Sequence, residues 1–173
     1  FELGMRYGNP SIKSSLKKFQ DQKVRRLLIF PLYPQYCAAT TASTFDAITN
    51  TLQSWRWIPE LRFINQYFEE KNYIISVAKS IQEFWNKNGK PEKIIFSYHG
   101  IPKSYHLKGD PYHCFCLKTT RLIKEYLNLK DDELITTFQS RFGREEWLQP
   151  YTSETLKNLP NQGIKKIHII SPG

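Results

Sequence analysis

The stretch FSYHGIPKSYHLKGDPYHCFC, Phe96 to Cys116, holds three of the chain's four histidines and two of its three cysteines. Two chemistries could result. Several imidazoles and thiolates could clamp a metal ion, or one imidazole could work alone as a ligand or proton acceptor near neutral pH. Spacing argues against the clamp. Asp110-Pro111 reads as a helix start, and on that helix Cys114 and Cys116 stand two residues apart, where side chains do not face each other. His113 and Cys116 can meet at i, i+3, but a structural zinc site takes four ligands. Cys116 shares a stripe with Ile123 and Leu127 and reads as a small buried hydrophobe. His106 falls in a Lys-rich loop and reads as solvent-exposed. His99 differs. It ends an apolar run, and Gly100 and Pro102 turn the chain directly after it. An imidazole there could hold a metal or take up a proton, or it could merely hydrogen-bond the loop.

The elements around it alternate. VRRLLIFPLY (Val24 to Tyr33), LRFINQY (Leu61 to Tyr67), KIIFSYH (Lys93 to His99), LITTFQS (Leu134 to Ser140) and KKIHIIS (Lys165 to Ser171) read as strands. Several are nearly continuous apolar runs, as in strands covered on both faces. Helical patterns lie between them. One starts at Asn9-Pro10 with Ile12, Leu16 and Phe19 on one face, and a second spans Thr40 to Leu52. A third carries the stripe Ile74, Val77, Ala78, Ile81, Phe84, Trp85 and stops at Asn88-Gly89. A fourth runs from Asp110-Pro111 to about Leu127, and a short fifth covers Thr152 to Leu159. This order predicts an α/β fold, a mostly parallel sheet with helices on both faces. Ligand sites in such folds gather at the carboxyl ends of strands. Here those ends carry PLYPQY, then Ser97-Tyr98-His99, Gln139-Ser140-Arg141 and Ser171-Pro172-Gly173. In one parallel sheet they would all face one cleft.

With 173 residues and 40% hydrophobic content, the chain can bury a real core. No apolar run approaches the roughly 20 residues that span a bilayer. Three scattered cysteines speak against a disulfide framework and for a reducing compartment. A net charge of +9 favours anionic partners: nucleic acid, an acidic membrane surface or a carboxylate-bearing small molecule. The same charge is also what basic residues coating a solvent face would give. Tyr7, Tyr33, Tyr36, Tyr98 and Trp147 lie in or beside loops rather than on helix stripes. Flat apolar walls with few polar groups suit a large planar ligand, and Arg6, Arg141 and Arg144 could meet carboxylates. Ordinary core aromatics with surface arginines would look the same. Nucleotide binding fits worse, since no G-x-G-x-x-G or Walker-type glycine loop comes after a strand. The basic residues are spread out rather than clustered, against a nucleic-acid partner.

Four segments resemble the ferrochelatase family, in the same order and over almost the whole chain: MRYGNPSI, PLYPQYCAATTAS, FSYHGIPKSYHLKGDPY and TFQSRFGREEWLQPYT. The resemblance implies two similar Rossmann-like (chelatase-type) domains with a porphyrin cleft between them, the first only partly present here. It also implies a lyase of haem biosynthesis that inserts Fe(II) into protoporphyrin IX and releases two protons. By the same resemblance His99 matches the family's catalytic histidine, a metal ligand or the acceptor of a pyrrole proton. Tyr33 matches a tyrosine on the side by which metal enters, and Arg6 and Tyr7 match cleft residues near that path. Trp147 and Ser140 match residues close to the porphyrin.

The resemblance carries further expectations. Residues 1–36 would be the remainder of the N-terminal domain and 37–173 most of the C-terminal one, the two prolines of FPLYPQY marking the boundary. Cys37 stands where the family usually has serine. No tightly bound cofactor and no 2Fe–2S cluster is expected, with Fe(II) entering as a substrate. The expected partners are protoporphyrin IX and ferrous iron, without nucleic acid. The expected location is cytoplasmic; peripheral contact with the inner membrane is suggested by the apolar product and the positive charge. The family's acidic stretch, with a glutamate facing the histidine, would come after SPG and is not in this sequence. The alternative is therefore a fragment that binds porphyrin or metal without turnover.

Overall fold

A computed structural model describes residues 1–173. They form two compact units, Phe1–Gln66 and Tyr67–Gly173. The division lies downstream of the boundary expected after residue 36. The reason is strand pairing. The segment after the prolines returns a strand to the one that precedes them, so residues 37–63 stay with the first unit.

In the first unit, α1 (Ile12–Asp21) is capped by Ser11, whose hydroxyl accepts the Ser14 amide hydrogen. The cap is thus Ser11, not Asn9: a hydroxyl at the residue before the first turn satisfies an orphan donor. Strands β1 (Arg26–Ile29) and β2 (Glu60–Phe63) pair in parallel, Arg26 opposite Glu60 and Ile29 opposite Phe63. Between them a π-helical turn, Ala38–Ala42, runs into α2 (Ser43–Leu52). The second helix therefore begins with one wide turn rather than as the regular helix expected from Thr40. Ile12, Leu16, Leu27, Ile48 and Leu52 form the core, with Phe19, Ile29, Leu61 and Phe63 packed against it. Each such buried aliphatic side chain contributes roughly 1.5–3 kcal/mol.

The second unit is a three-stranded parallel sheet in the order β4-β3-β5, formed by β3 (Lys93–His99), β4 (Leu134–Gln139) and β5 (Ile167–Ile170). Register pairs His99 with Gln139 on one side and Phe96 with Ile170 on the other. β3 is central and reads as one buried run because both its faces are covered. The flanking helices are α3 (Lys71–Asn88), α4 (Lys103–Leu107), α5 (Tyr112–Leu127) and α6 (Thr152–Asn158). α5 covers the face that carries Tyr98 and Phe138: the Tyr98 hydroxyl meets Thr120 Oγ1 at 3.0 Å. α6 covers the opposite face, where Thr152 Oγ1 lies 2.9 Å from Ser97 Oγ and donates to Thr137 Oγ1 at 2.8 Å. The parallel α/β class is thus as expected, although the five strands form two sheets rather than one.

Candidate active site

The path of the chain locates a crevice. After β3 it turns onto the α5 face and returns as the neighbouring strand β4. After β4 it turns onto the α6 face and crosses β3 to reach β5. Adjacent strands whose connections leave to opposite faces mark a topological switch point, and open α/β sheets bind ligands outside the carboxyl ends of the strands there. His99 ends β3 at this point and is exposed, although the five residues before it are buried.

The turn after His99 is tightly specified. The Gly100 amide donates to the Gln139 carbonyl at 2.8 Å, extending the ladder by one rung. A Cβ on Gly100 would stand 2.9 Å from that oxygen and 3.1 Å from Trp147 Cε3, so only glycine fits. Residues 101–103 are then stitched to 146–148. Leu148 N–H donates to the Ile101 carbonyl, Lys103 N–H donates to the Glu146 carbonyl, and Pro102 bridges Trp147. A Lys103–Glu146 ion pair at 3.0 Å closes the same seam on the surface. The ring of Trp147 lies 6.5 Å from that of His99 and is only 5% exposed. It supports the turn from beneath and is not an open wall.

The imidazole itself is oriented. His99 Nδ1 lies 2.7 Å from the Gly100 carbonyl oxygen. A carbonyl can only accept, so Nδ1 carries the hydrogen, and in the neutral ring the lone pair is on Nε2. A second group fixing the tautomer is the usual companion of a ligand or base histidine.

Ser140 comes directly after β4 with φ 68°, a left-handed conformation uncommon outside glycine, and is exposed beside Gln139. Arg141 lays its guanidinium 4.6 Å over the Tyr151 ring. With Gln139, Ser153 and Glu154 these residues line a polar pocket of about 260 Å³. The larger cavity, about 370 Å³, lies between α3 and β5 and holds Phe84, Trp85, Ile169 and His168. None of the sequence-predicted site residues lines it.

In the first unit, Arg6 and Tyr7 come together, the guanidinium 4.6 Å from the ring centroid. Arg6 Nε donates to both the carbonyl and the hydroxyl of Ser43, at 3.0 Å each. Ser43 closes the segment PLYPQYCAATTAS, but the sequence assigns it no role. Tyr33 is 39% exposed in the irregular segment after β1.

Some expectations need correction. Tyr98 is 1% exposed and belongs to the core, because it ends the buried face of β3 under α5. His106 is not in a solvent-exposed loop. It lies in α4, half-buried, with Nδ1 inaccessible and unpartnered and its ring 5.1 Å from that of His113. Burial, and then His106, hold the His113 imidazole below its ordinary pKa. Cys114 is exposed and Cys116 buried, as helical spacing dictates, and no three of His, Cys, Asp and Glu converge.

The family model described as Ferrochelatase matches residues 1–173. The chain is 57% identical over its whole length to the ferrochelatase of Hydrogenovibrio crunogenus, covering 46% of that protein. It is 59% identical, over 99% of its length, to the ferrochelatase of Marinobacter nauticus, again covering 46%. Ferrochelatase 2 of Shewanella oneidensis is 51% identical over 98% of the chain, which covers 52% of it. The chain spans about half the length of the curated relatives it matches. A match across every residue, with a histidine at the switch point of a parallel sheet, makes this chain a member of the ferrochelatase family.

Proposed function

We propose that this chain supplies the histidine-bearing part of a ferrochelatase, a lyase of haem biosynthesis that inserts Fe(II) into protoporphyrin IX. Two pyrrole N–H bonds break, four nitrogens bind the ion and two protons leave. The observation that carries the reading is His99: exposed at the switch point, with Nδ1 donating to the Gly100 carbonyl and the Nε2 lone pair free. A neutral imidazole of that tautomer suits proton acceptance from a pyrrole nitrogen, and equally brief ligation of the incoming ion. The planar macrocycle hides its nitrogen lone pairs, so binding energy from the rest of the ring must favour a bent form. By the family resemblance, Arg6, Tyr7, Tyr33, Ser140 and Trp147 are the proposed porphyrin contacts. Trp147 also acts through the His99 turn.

Iron is here a substrate, and the proposal includes no 2Fe–2S cluster and no nucleic-acid partner. No helix is long and apolar enough to cross a membrane. A cytoplasmic protein with peripheral contact at the membrane surface accords with the +9 charge and an apolar product.

An anaerobic absorbance titration with protoporphyrin IX, and then with Fe(II) or Zn(II) in the same cuvette, tests the reading. A Soret shift, then collapse of four visible bands to two faster than in buffer, is the expected result. A shift without accelerated collapse would leave a binding fragment, and no shift would remove porphyrin from the function of this chain.

A further inference from the structure

Arg6 is exposed, yet its side chain is fixed at both ends of its reach. The loop that carries it is closed by Met5 N–H donating to the Pro10 carbonyl at 2.7 Å and Ile12 N–H to the Met5 carbonyl at 3.2 Å. Beyond the loop, Nε donates to the Ser43 carbonyl and to Ser43 Oγ, both at 3.0 Å, while the guanidinium lies on the Tyr7 ring. The two terminal nitrogens make no hydrogen bond or ion pair within the chain. Ser43 is the first residue of α2, directly after the π turn, and its own amide bonds back to the Ala38 carbonyl. The π turn thus sets Ser43, the acceptor for Arg6, directly at the start of the regular helix.

A guanidinium grips a carboxylate in parallel, two-bond fashion, either side-on through Nε and one Nη or end-on through both Nη atoms. With Nε taken, only the end-on mode remains. We propose that Ser43 is the positioning residue for Arg6, committing it to end-on binding of a ligand carboxylate. The inference rests on the ferrochelatase reading, in which that carboxylate is a side-chain acid of the porphyrin substrate.

The test uses Soret titrations of the chain and of Ser43→Ala and Ser43→Thr, each with protoporphyrin IX and with its dimethyl ester. Ser43→Ala should weaken binding of the free acid by about three- to tenfold, the net worth of one ordinary hydrogen bond. Ester binding should stay unchanged, and Ser43→Thr, which keeps the hydroxyl, should restore the acid. Equal losses for acid and ester, or no rescue by threonine, would overturn the assignment to carboxylate positioning. Nitrogen-15 spectra provide a second readout that needs no porphyrin. The Arg6 Nε–H should exchange with water more slowly than that of Arg56, and Ser43→Ala, which removes the hydroxyl but keeps the carbonyl acceptor, should narrow the difference. Arg6 exchanging as fast as Arg56 in the parent chain would overturn the anchor itself. A parent chain that binds neither porphyrin would overturn the ferrochelatase reading, and the exchange rates would still decide the anchor.

Discussion

His99 places Nδ1 2.7 Å from the carbonyl oxygen of the very next residue, Gly100. The contact is local, so the tautomer is set by the turn and not by a distant partner. It leaves Nε2 as the single basic atom that the end of β3 offers to a ligand. Replacing His99 by Ala in a complete ferrochelatase bearing this sequence should cut metal insertion by about 10²–10⁴-fold, the usual worth of a positioned base. Porphyrin affinity should be nearly unchanged, because the proposed grip lies in other residues. Stopped-flow metallation beside equilibrium Soret titration separates the two. Turnover surviving in His99→Ala would take the role away from this residue.

Gly100 is the second fixed point of the same turn. An added methyl would press on the Gln139 carbonyl, which is backbone and cannot move away cheaply, and on the indole of Trp147. Gly100→Ala should therefore destabilise the fold by about 1–3 kcal/mol, the range for overpacked sites. It should also lower metallation more than porphyrin binding, since a shift of residue 100 moves the carbonyl that orients His99. Urea unfolding and the same pair of activity readouts check this. A variant as stable and active as the parent would mean the turn is looser than these contacts imply.

Beneath the crevice, Ser97, Thr137 and Thr152 share one buried chain of hydroxyls linking β3, β4 and α6. Removing a single member strands a partner in an apolar setting, at about 1–3 kcal/mol, whereas removing all can be close to neutral. Thr152→Val alone should thus destabilise more than Ser97→Ala, Thr137→Val and Thr152→Val combined. Chemical denaturation of the two variants decides it. Simple additivity would show that the hydroxyls do not act as one network.

Much of this is legible in the sequence. The run KIIFSYH marks β3 to the residue, because a strand covered on both faces reads as a nearly continuous apolar run. His99 stands out because Gly100 and Pro102 come directly after it. The hidden features depend on pairing. The prolines of FPLYPQY suggest a domain division, but prolines mark irregular backbone, and only the β1–β2 register shows which strands belong together. His106 looks exposed because its neighbours are lysines, although a five-residue helix turns one side of that stretch inward. The acceptor role of Ser43 gives no signal, since it depends on Arg6, 37 residues earlier.

The π turn carries a testable cost of its own. Thr41 is fully buried within it, and its Oγ1 has no hydrogen-bond partner. An orphaned hydroxyl in an apolar site is unfavourable, and valine has nearly the same shape. Thr41→Val should be neutral or stabilise the first unit by up to about 1–2 kcal/mol, read as a higher urea midpoint. A clear loss of stability would mean that the hydroxyl has a partner, such as a bound water.

The last prediction concerns pH. His113 packs its ring against those of His106 and Phe138, at 5.1 and 5.4 Å, and burial, then the neighbouring imidazole, hold its pKa below 6.5. His168, beside Phe84 in the apolar cavity, is lowered by burial and then by Lys166. For such groups the unfolded chain takes up protons first. Between the folded and the unfolded pKa, the unfolded state binds more protons, so stability rises with pH across that window. The contribution is complete above about pH 6.5 and is lost as pH falls through the folded values. Glu92, held low by the Lys165 and Lys166 amides, titrates in a more acidic range and does not confuse the assignment. Urea midpoints measured from pH 7.5 down to 5 should therefore decline, mostly below about 6.5. His113→Phe, which keeps an aromatic ring against His106 and Phe138 but cannot titrate, should make the decline shallower, leaving the part due to His168. A midpoint that is flat, or that rises on acidification, would rule out these two buried imidazoles as the source of acid sensitivity.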